Sequence, residues 1–235
     1  MEHNGMMPEQ AINADEVVGA ALDLLDDVGL HGFTMRALAQ RLGTYPATIY
    51  WHVGSRGEVL SAASGRVLDT VFADLPDPTL TPWDAWLDAF ARGYRRQMQS
   101  HPAIAAWGVT HFEARVPAPD GLEGIVGVFA RAGFHDEALA LAYNMFLGSL
   151  IGWIGVELIA DDPELGSDPE QMEGSVRALD ADDYPTIVAN LDHLANHAFA
   201  FRWQGGIGNP LDAAFDFAVA TWIVGLRAQL ANRAG

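Results

Sequence analysis

The sequence contains no cysteine and no lysine, so all 13 of its basic residues are arginine. Without cysteine there are no disulfides and no thiolate ligands for a metal, and nothing indicates an oxidising compartment. No run of 18 or more apolar residues is free of charges and helix breakers, and the first ten residues are polar, unlike a signal peptide. We therefore expect a cytoplasmic protein with no membrane partner. The 235 residues, half of them hydrophobic, suffice for one or two domains.

The net charge of −18 argues against nucleic acid as a partner, but the charge is unevenly distributed. Residues 1–35 carry seven acids and no arginine, whereas residues 33–66 carry four arginines and one acid. The arginines are Arg36, Arg41, Arg56 and Arg66, and the acid is Glu58. This window is therefore a locally basic segment of an acidic chain, and it can attract a phosphate backbone.

Apolar residues recur at helical spacing along almost the whole chain. The first helix follows a capping box at Asn13 and Glu16 and stops at Gly29. A second helix opens at Thr34 and ends at Gly43, a third spans about 45–53, and a fourth spans about 55–73. Further helices are predicted at 82–99, 102–115, 120–132, 136–160, 184–203 and 211–232, with an acidic, solvated loop at 161–183. No strand-like alternation occurs, so the predicted fold class is all-α.

The second and third predicted helices have the proportions of a helix-turn-helix motif. They cover Thr34–Leu42 and Tyr45–His52 and are joined at Gly43-Thr44. Apolar residues such as Ile49 account for the inner faces, which leaves an unusual set of polar-tipped aromatic residues on a very short helix. Ala47 and Thr48 suit thymine methyls or base edges, whereas Tyr50, His52 and Arg56 suit phosphates. The segment 34–52 is therefore predicted to read DNA.

The run FTMRALAQRLGTYPATIYWHVGSRGEVL, Phe33 to Leu60, resembles the signature of TetR-family transcriptional regulators. Within it, LAQRLG and TIYWHV are similar to the tetracycline-repressor branch. The resemblance implies a three-helix DNA-binding domain at 1–54, a connecting helix at about 55–73, and a helical effector-binding and dimerisation domain at 74–235. It implies a homodimer on palindromic double-stranded operator DNA, most often a repressor released by a small-molecule effector. The DNA-facing positions it implies are Arg36, Tyr45, Ala47, Thr48, Tyr50, Trp51, His52 and Arg56.

Base specificity does not carry over from the family. Pro46 and Ala47 stand where other members often place polar side chains that read bases. We therefore expect specificity to depend on Thr48, Tyr45 and the shape of the groove.

Two segments, 137–159 and 211–230, are long and nearly free of charge, which predicts helices that are buried on most sides. One face would pack inward and another against a second subunit, with Trp153 and Trp222 as the candidate dimerisation residues. The other reading, that both segments are simply central core helices, stays open.

Aromatic and polar residues interrupt the apolar helices of this larger region and predict a mostly apolar cavity for a small apolar or aromatic effector. The candidate ligand-binding residues are Phe90, Tyr94, Trp107, His111, Phe112, Asn144 and Phe146. When the chain is aligned with the tetracycline-binding branch through YRRQMQSH, the metal-binding histidine and acid of that branch fall near Gly108 and Gly155. We therefore do not expect a magnesium–tetracycline complex as the effector.

Two other functions remain open: a helical DNA-binding protein without an effector, and a ligand-sequestering helical protein without DNA binding. His193 and His197 are four residues apart, but no third ligand is identifiable and no glutamate follows His193, so no metal or cofactor is predicted. The sequence places no nucleophile beside an acid–base pair and has no Gly-rich phosphate loop. An enzyme is therefore not expected.

Overall fold

The computed structural model describes residues 12–111, 119–159, 168–203 and 211–234. These ranges form eleven α-helices and one short 3₁₀ helix, and they contain no strand, as the all-α prediction requires. The helices are α1 (Ala14–Gly32), α2 (Met35–Arg41), α3 (Pro46–His52), α4 (Arg56–Ala73), α5 (Trp83–Ser100), α6 (Pro102–Thr110), α7 (Pro119–Ala132), α8 (Asp136–Ile159), α9 (Pro169–Arg177), α10 (Pro185–Leu194) and α11 (Asp212–Ala234). The 3₁₀ turn is Phe199–Phe201.

Local sequence signals account for the ends of the N-terminal helices. Asn13 and Glu16 form the predicted capping box of α1, each side chain bonding the other residue's backbone N–H. Gly29 takes φ +69°, which breaks the helical backbone within α1, as expected for a glycine stop. Ser55 and Glu58 form a second capping box at the start of α4. Both boxes lie within four residues of sequence; the first was predicted, and the second is a finding of the structure.

The first three helices pack around one small core with the beginning of α4. Val17, Ala21, Leu38 and Ile49 are almost fully buried, and Phe33 fills the space where α1 turns into α2. The α2–α3 turn has Gly43 at φ +64°, a conformation that glycine adopts with little strain. This core fixes the angle of α3 against the body of the protein.

Helix α4 is shared by the two halves of the molecule. It packs on α1 along one side and on α5 and α6 along the other. A second junction lies between α1 and α6, where His101 Nδ1 is 3.0 Å from both carboxylate oxygens of Asp26. A movement of α6 can therefore reach the N-terminal helices through α4 and through α1.

The larger half is built around α8 and α11, which pack against each other and against α5. Their buried residues belong to an aromatic core that includes Phe129, Phe146 and Phe215. By length and composition alone, both helices could cross a membrane. One side of each lies in this core, and central helices of soluble proteins pass the same test.

The predicted acidic loop at 161–183 differs from the structure. Residues 169–177 form α9, which Asp168 caps by accepting a hydrogen bond from the Glu170 N–H. The helix has no buried residue, so no apolar stripe marked it in the sequence. Helix α10 ends at Leu194, so His197 lies beyond it and does not share a helical face with His193.

Candidate DNA-binding surface and effector cavity

The exposed face of α3 is formed by the predicted reading residues. Ile49 is fully buried, and Ala47 and Trp51 lie four residues apart on the opposite side of the helix. Thr48 and Tyr50 flank them, and Trp51 is 81% exposed. Tyr45, just before the helix, is 79% exposed, and half-buried His52 packs edge-on against the Trp51 ring. So many exposed aromatic atoms on eight residues are typical of a contact surface.

The four arginines of the basic window have different surroundings. Arg41 forms an ion pair with Asp27, and Arg66 forms one with Asp15. Arg36 is exposed, and in the described part of the chain it has no hydrogen-bond or ion-pair partner. Arg36 is thus the arginine of this window whose guanidinium is not held by another group among the described residues.

Arg56, which was predicted as a phosphate contact, bonds to backbone groups of the protein itself. Its Nη2 donates to the Leu30 carbonyl at 2.9 Å, its Nε donates to the Phe33 carbonyl at 3.3 Å, and its guanidinium lies over the Phe33 ring. The side chain therefore ties α4 to the α1–α2 connection. With these donors used inside the protein, Arg56 is not among the DNA contacts that we propose.

A cavity of about 430 Å³ lies between α4, α5, α6, α7 and α8. Four predicted ligand-binding residues line it: Phe90, Tyr94, Trp107 and His111. Trp107 and His111 stack with ring planes 11° apart, and Phe90 lies between Phe72 and Tyr94 with interplanar angles of 32° and 30°. Aromatic rings therefore form part of the cavity wall.

Two predicted ligand residues among those that the structure describes do not line this cavity. Asn144 is exposed on the outer side of α8, and Phe146 is fully buried against the Phe129 and Trp222 rings. Phe112 lies outside the described residues. On α8 the cavity is lined by the adjacent Tyr143 and by Leu147, Leu150 and Ile151. A position one residue away on a helix is rotated by about 100°, so neighbouring residues belong to different environments.

The contribution of α4 to the cavity was missed from sequence. Its lining residues are Ser61, Ala62, Ser64, Gly65, Leu68 and Phe72. The spacing of residues 61, 65, 68 and 72 is a second helical stripe beside the buried one at 60, 63, 67 and 71. That stripe is the sequence pattern from which the cavity-lining residues of α4 could have been predicted.

Trp153 and Trp222 lie mainly within the protomer. Their rings are 6.4 Å apart, and both contact Phe215. The exposed apolar residues of the same two helices are Leu141, Met145 and Val156 on α8, and Phe217 and Val224 on α11. On α8 the exposed glycines Gly148 and Gly152 lie between these exposed apolar residues. This face is therefore apolar and smooth.

A buried charge cluster joins α5, α8 and the start of α11. Arg95 donates to both carboxylate oxygens of Glu157, at 2.9 and 2.5 Å, and to Asp212 at 2.7 Å. Glu157 is only 1% exposed and also accepts the Leu211 N–H at 3.1 Å. Burial by itself would raise the pKa of Glu157, but the bonds from Arg95 and Leu211 outweigh it and hold that pKa below the usual value. This pairing was not predicted from sequence, because its partners are 62 residues apart.

Known proteins match either the N-terminal helices alone or nearly the whole chain. Residues 17–63 match the family model of bacterial regulatory proteins, tetR family. An HTH-type transcriptional regulator of Saccharopolyspora erythraea is 30% identical over 181 residues, covering 76% of this chain and 75% of that protein. The class C tetracycline repressor protein of Escherichia coli is 30% identical over 219 residues, covering 92% and 90%.

Solved structures extend the likeness across both halves. Apo ActR of Streptomyces coelicolor superposes with a TM-score of 0.73 at 26% identity, covering 98% of this chain and 100% of that one. ActR in complex with actinorhodin gives a TM-score of 0.70 at 28% identity, covering 93% and 98%. On the sequence, the fold and these relatives together, the chain belongs to the TetR family of DNA-binding transcriptional regulators.

Proposed function

We propose that this protein is a homodimeric repressor that releases a palindromic operator when a small, mainly apolar molecule occupies the cavity between α4 and α8. One observation carries the proposal: α4 both lines the cavity and packs on the helix-turn-helix core. A ligand that requires a different position of α4 therefore changes the position of α3. ActR, crystallised with actinorhodin, supports such a ligand by its similarity in sequence and fold.

In this proposal α3 lies in the major groove with Ala47 and Trp51 at its centre. Ala47 offers only a methyl group, which suits contact with a thymine methyl. Tyr45, Thr48 and Tyr50 lie around the rim, where their hydroxyls can bind base edges or phosphates, and His52 lies beside Trp51. Arg36, at the start of α2, supplies the charge.

The second subunit is proposed to cover the exposed apolar face of α8 and α11. This face includes Leu141, Val156, Phe217 and Val224, which a single protomer leaves in water. Trp153 and Trp222 would support the interface from behind. The dimer places two copies of α3 about one helical turn of DNA apart, as palindromic half-sites require.

The proposed DNA-binding surface, cavity and dimer interface also divide the chain into domains. Residues 1–54 form the DNA-binding domain, α4 connects, and residues 74–235 bind the effector and the partner subunit. We propose binding rather than catalysis as the function, and the cytoplasm, where the operator is accessible, as the location. In the described ranges no group of three His, Asp or Glu side chains could hold a metal ion.

Thermodynamics limits the coupling between the effector cavity and the DNA-binding surface. The effector shifts the protein between two arrangements of α4 only by its different affinity for them. The His101–Asp26 contact joins α6, a wall of the cavity, to α1 beside the DNA-binding core. It therefore offers a second route by which the occupied cavity changes the arrangement of the reading helices.

An operator titration tests the proposal. Purified protein first selects a palindromic duplex from a random library, and binding to that duplex is then measured with and without a panel of aromatic compounds that includes actinorhodin. We expect at least one compound to weaken operator binding by about 5- to 150-fold, the usual range of allosteric coupling. Gly65→Leu, which fills open space beside the cavity, should keep operator binding and lose the response.

A response that persists in Gly65→Leu would contradict the cavity as the effector site. Equal operator affinity across the whole panel would favour the effector-independent DNA-binding protein. Failure to select any duplex would favour the ligand-sequestering alternative.

The salt dependence of operator binding gives a separate prediction about Arg36. Each arginine–phosphate contact adds about 0.9 to the slope of log K against log salt, so Arg36→Ala in both subunits should reduce the slope by about 2. Arg177→Ala on exposed α9 makes the same charge change far from α3 and should leave the slope unaltered. Equal slopes for wild type and Arg36→Ala would show that Arg36 contacts no phosphate.

A further inference from the structure

Two arginines on α4 reach back to opposite ends of α1. Arg56 bonds to the α1–α2 connection, whereas Arg66 bonds to the first turn of α1. There the Arg66 Nη2 donates to the Asp15 carbonyl at 3.0 Å and also to the Asp15 carboxylate. Gly19 leaves room for this guanidinium, because a Cβ at that position would lie 3.0 Å from the Arg66 Nη1. The two arginines are about 15 Å apart along α4, so this helix is fastened to α1 at two widely separated points.

The carbonyls that Arg56 binds belong to the C-terminal end of α1. Leu30 follows the break in the helix at Gly29, and Phe33 is the residue that caps the helix. The last carbonyls of a helix have no partner within it, and a cation beside them is favoured by the helix dipole. The planar guanidinium donates to both carbonyls and lies 5.6 Å from the centre of the buried Phe33 ring. These contacts fix Arg56 in one position.

The connection between α3 and α4 would by itself allow a pivot. It consists of Val53, Gly54 and Ser55, and Gly54 has φ +103°, a conformation that glycine adopts easily. Arg56 is the first residue of α4, and its side chain reaches back across this connection. Since α1, α2 and α3 share one core, a bond to the α1–α2 connection also holds α3. These three helices, which we call the head, are therefore held at one angle on α4.

We propose that Arg56 determines which spacing of operator half-sites the dimer accepts. In this role it is a positioning residue, which contacts no DNA and acts by holding the head on α4. Two heads held at fixed angles fit half-sites at one separation, because each inserted base pair moves a half-site by about 3.4 Å and turns it by about 35°. The inference rests on the proposed function in taking a dimer on a palindromic operator.

Operators of altered spacing test this role. Binding of the full-length protein to the selected duplex is compared, by fluorescence anisotropy, with binding to a duplex that has one base pair inserted between the half-sites. The insertion should weaken wild-type binding by at least about 30-fold, because it displaces a whole half-site. In Arg56→Met this penalty should fall to about 5-fold or less. Binding of Arg56→Met to the selected duplex should weaken by about 3- to 10-fold, because the heads must then be ordered on binding.

Two further variants separate positioning from charge and from stability. Arg41→Met removes the same charge from the same segment, but Arg41 pairs with Asp27 inside the head and does not join the head to α4. Its spacing penalty should equal that of the wild type. Arg56→Lys keeps the charge without the planar fork, so its penalty should lie between those of the wild type and Arg56→Met. A general loss of stability would weaken binding to both duplexes equally and leave the penalty unchanged.

A measurement without DNA is independent of the operator. Because the chain has no cysteine, Gln40→Cys on the exposed side of α2 places one spin label on each head. Pulsed electron paramagnetic resonance then gives the distribution of distances between the two labels of a dimer. We expect this distribution to be at least about twofold broader when Arg56→Met is added to Gln40→Cys.

Equal spacing penalties in the wild type and Arg56→Met, or equal widths of the two distance distributions, would overturn the proposal. Wild-type protein that binds both duplexes equally would also overturn it. A decrease of about 2 in the salt slope of Arg56→Met would do the same, because it would identify a phosphate contact in each subunit. A broader distance distribution without selection of any duplex would support the role of Arg56 in holding the head and contradict the proposed repressor.

Discussion

Glu157→Ala is expected to lower the free energy of unfolding by about 3–5 kcal/mol, because it leaves the buried Arg95 guanidinium without its main partner. Arg95 is 8% exposed and Glu157 is 1% exposed, so little water can replace the lost carboxylate. The substitution also removes the acceptor of the Leu211 N–H at the start of α11. The measurement is urea unfolding followed by circular dichroism at a fixed protein concentration, since a dimer's stability depends on concentration.

The control for this prediction is an ion pair of the same residue types on the surface. Glu173 accepts from Arg177 at 2.8 Å on α9, where both side chains are partly exposed. Glu173→Ala should change stability by no more than about 0.5 kcal/mol. A double variant, Arg95→Met with Glu157→Leu, should be less destabilised than Glu157→Ala, because it does not leave the Arg95 guanidinium buried without Glu157. A loss below 1 kcal/mol in Glu157→Ala would contradict a structural role for the pair.

The contribution of the Arg95–Glu157 pair to the free energy of unfolding depends on pH. Because the pKa of Glu157 is lower in the folded protein than in the unfolded chain, its carboxylate contributes stability that is fully present above the usual glutamate pKa of 4.5. That contribution is lost as the pH falls through the folded-state pKa. The stability difference between wild type and Glu157→Gln should therefore shrink in acid and stay constant between pH 6 and 8, as unfolding curves at each pH would report.

Trp51→Ala is expected to weaken operator binding by about 30-fold or more, the effect of removing a tryptophan that is a central contact of an interface. Since the indole is 81% exposed in the protomer, the substitution should leave the unfolding midpoint unchanged. Binding to the selected duplex is measured by fluorescence anisotropy, and unfolding by circular dichroism on the same samples. Loss of binding with intact stability separates a DNA contact from a packing residue.

Leu80→Ala supplies the matched control for this change. Leu80 is 83% exposed in the turn between α4 and α5, away from α3, so its truncation removes similar exposed apolar surface. Operator affinity should be unchanged in this variant. An unaltered operator affinity in Trp51→Ala would show that α3 does not meet DNA through its exposed aromatic face, and the proposed orientation in the groove would be wrong.

The helix-turn-helix segment was predictable because its signals are local. The capping box at Asn13 and Glu16 and the glycines at 29 and 43 act within a turn or two, so each is visible in a short window of sequence. The same is true of Ile49, whose burial follows from its place in the apolar stripe of α3. The family resemblance added the division into two domains and the homodimer, which local patterns do not contain.

The cavity was only partly predictable for the same reason. Phe90 and Tyr94 lie four residues apart, and helical spacing alone places them on one face. The choice between Tyr143 and Asn144 on α8 depends on how that helix is rotated against its neighbours. A helix with apolar residues on nearly every side does not fix that rotation by its sequence.

The sequence by itself determined the kind of protein: all-α, with one basic reading segment on a strongly acidic chain. Only the tertiary structure decided which groups of that segment remain available, because the partners come from far along the chain. Arg66 and Asp15 are 51 residues apart, and Arg56 binds a carbonyl 26 residues away. Packing thus commits Arg41, Arg56 and Arg66 to partners inside the protein and leaves Arg36 and the aromatic face of α3 toward solvent. The periodicities of a sequence report the elements, whereas the pairing of charges depends on how those elements are brought together.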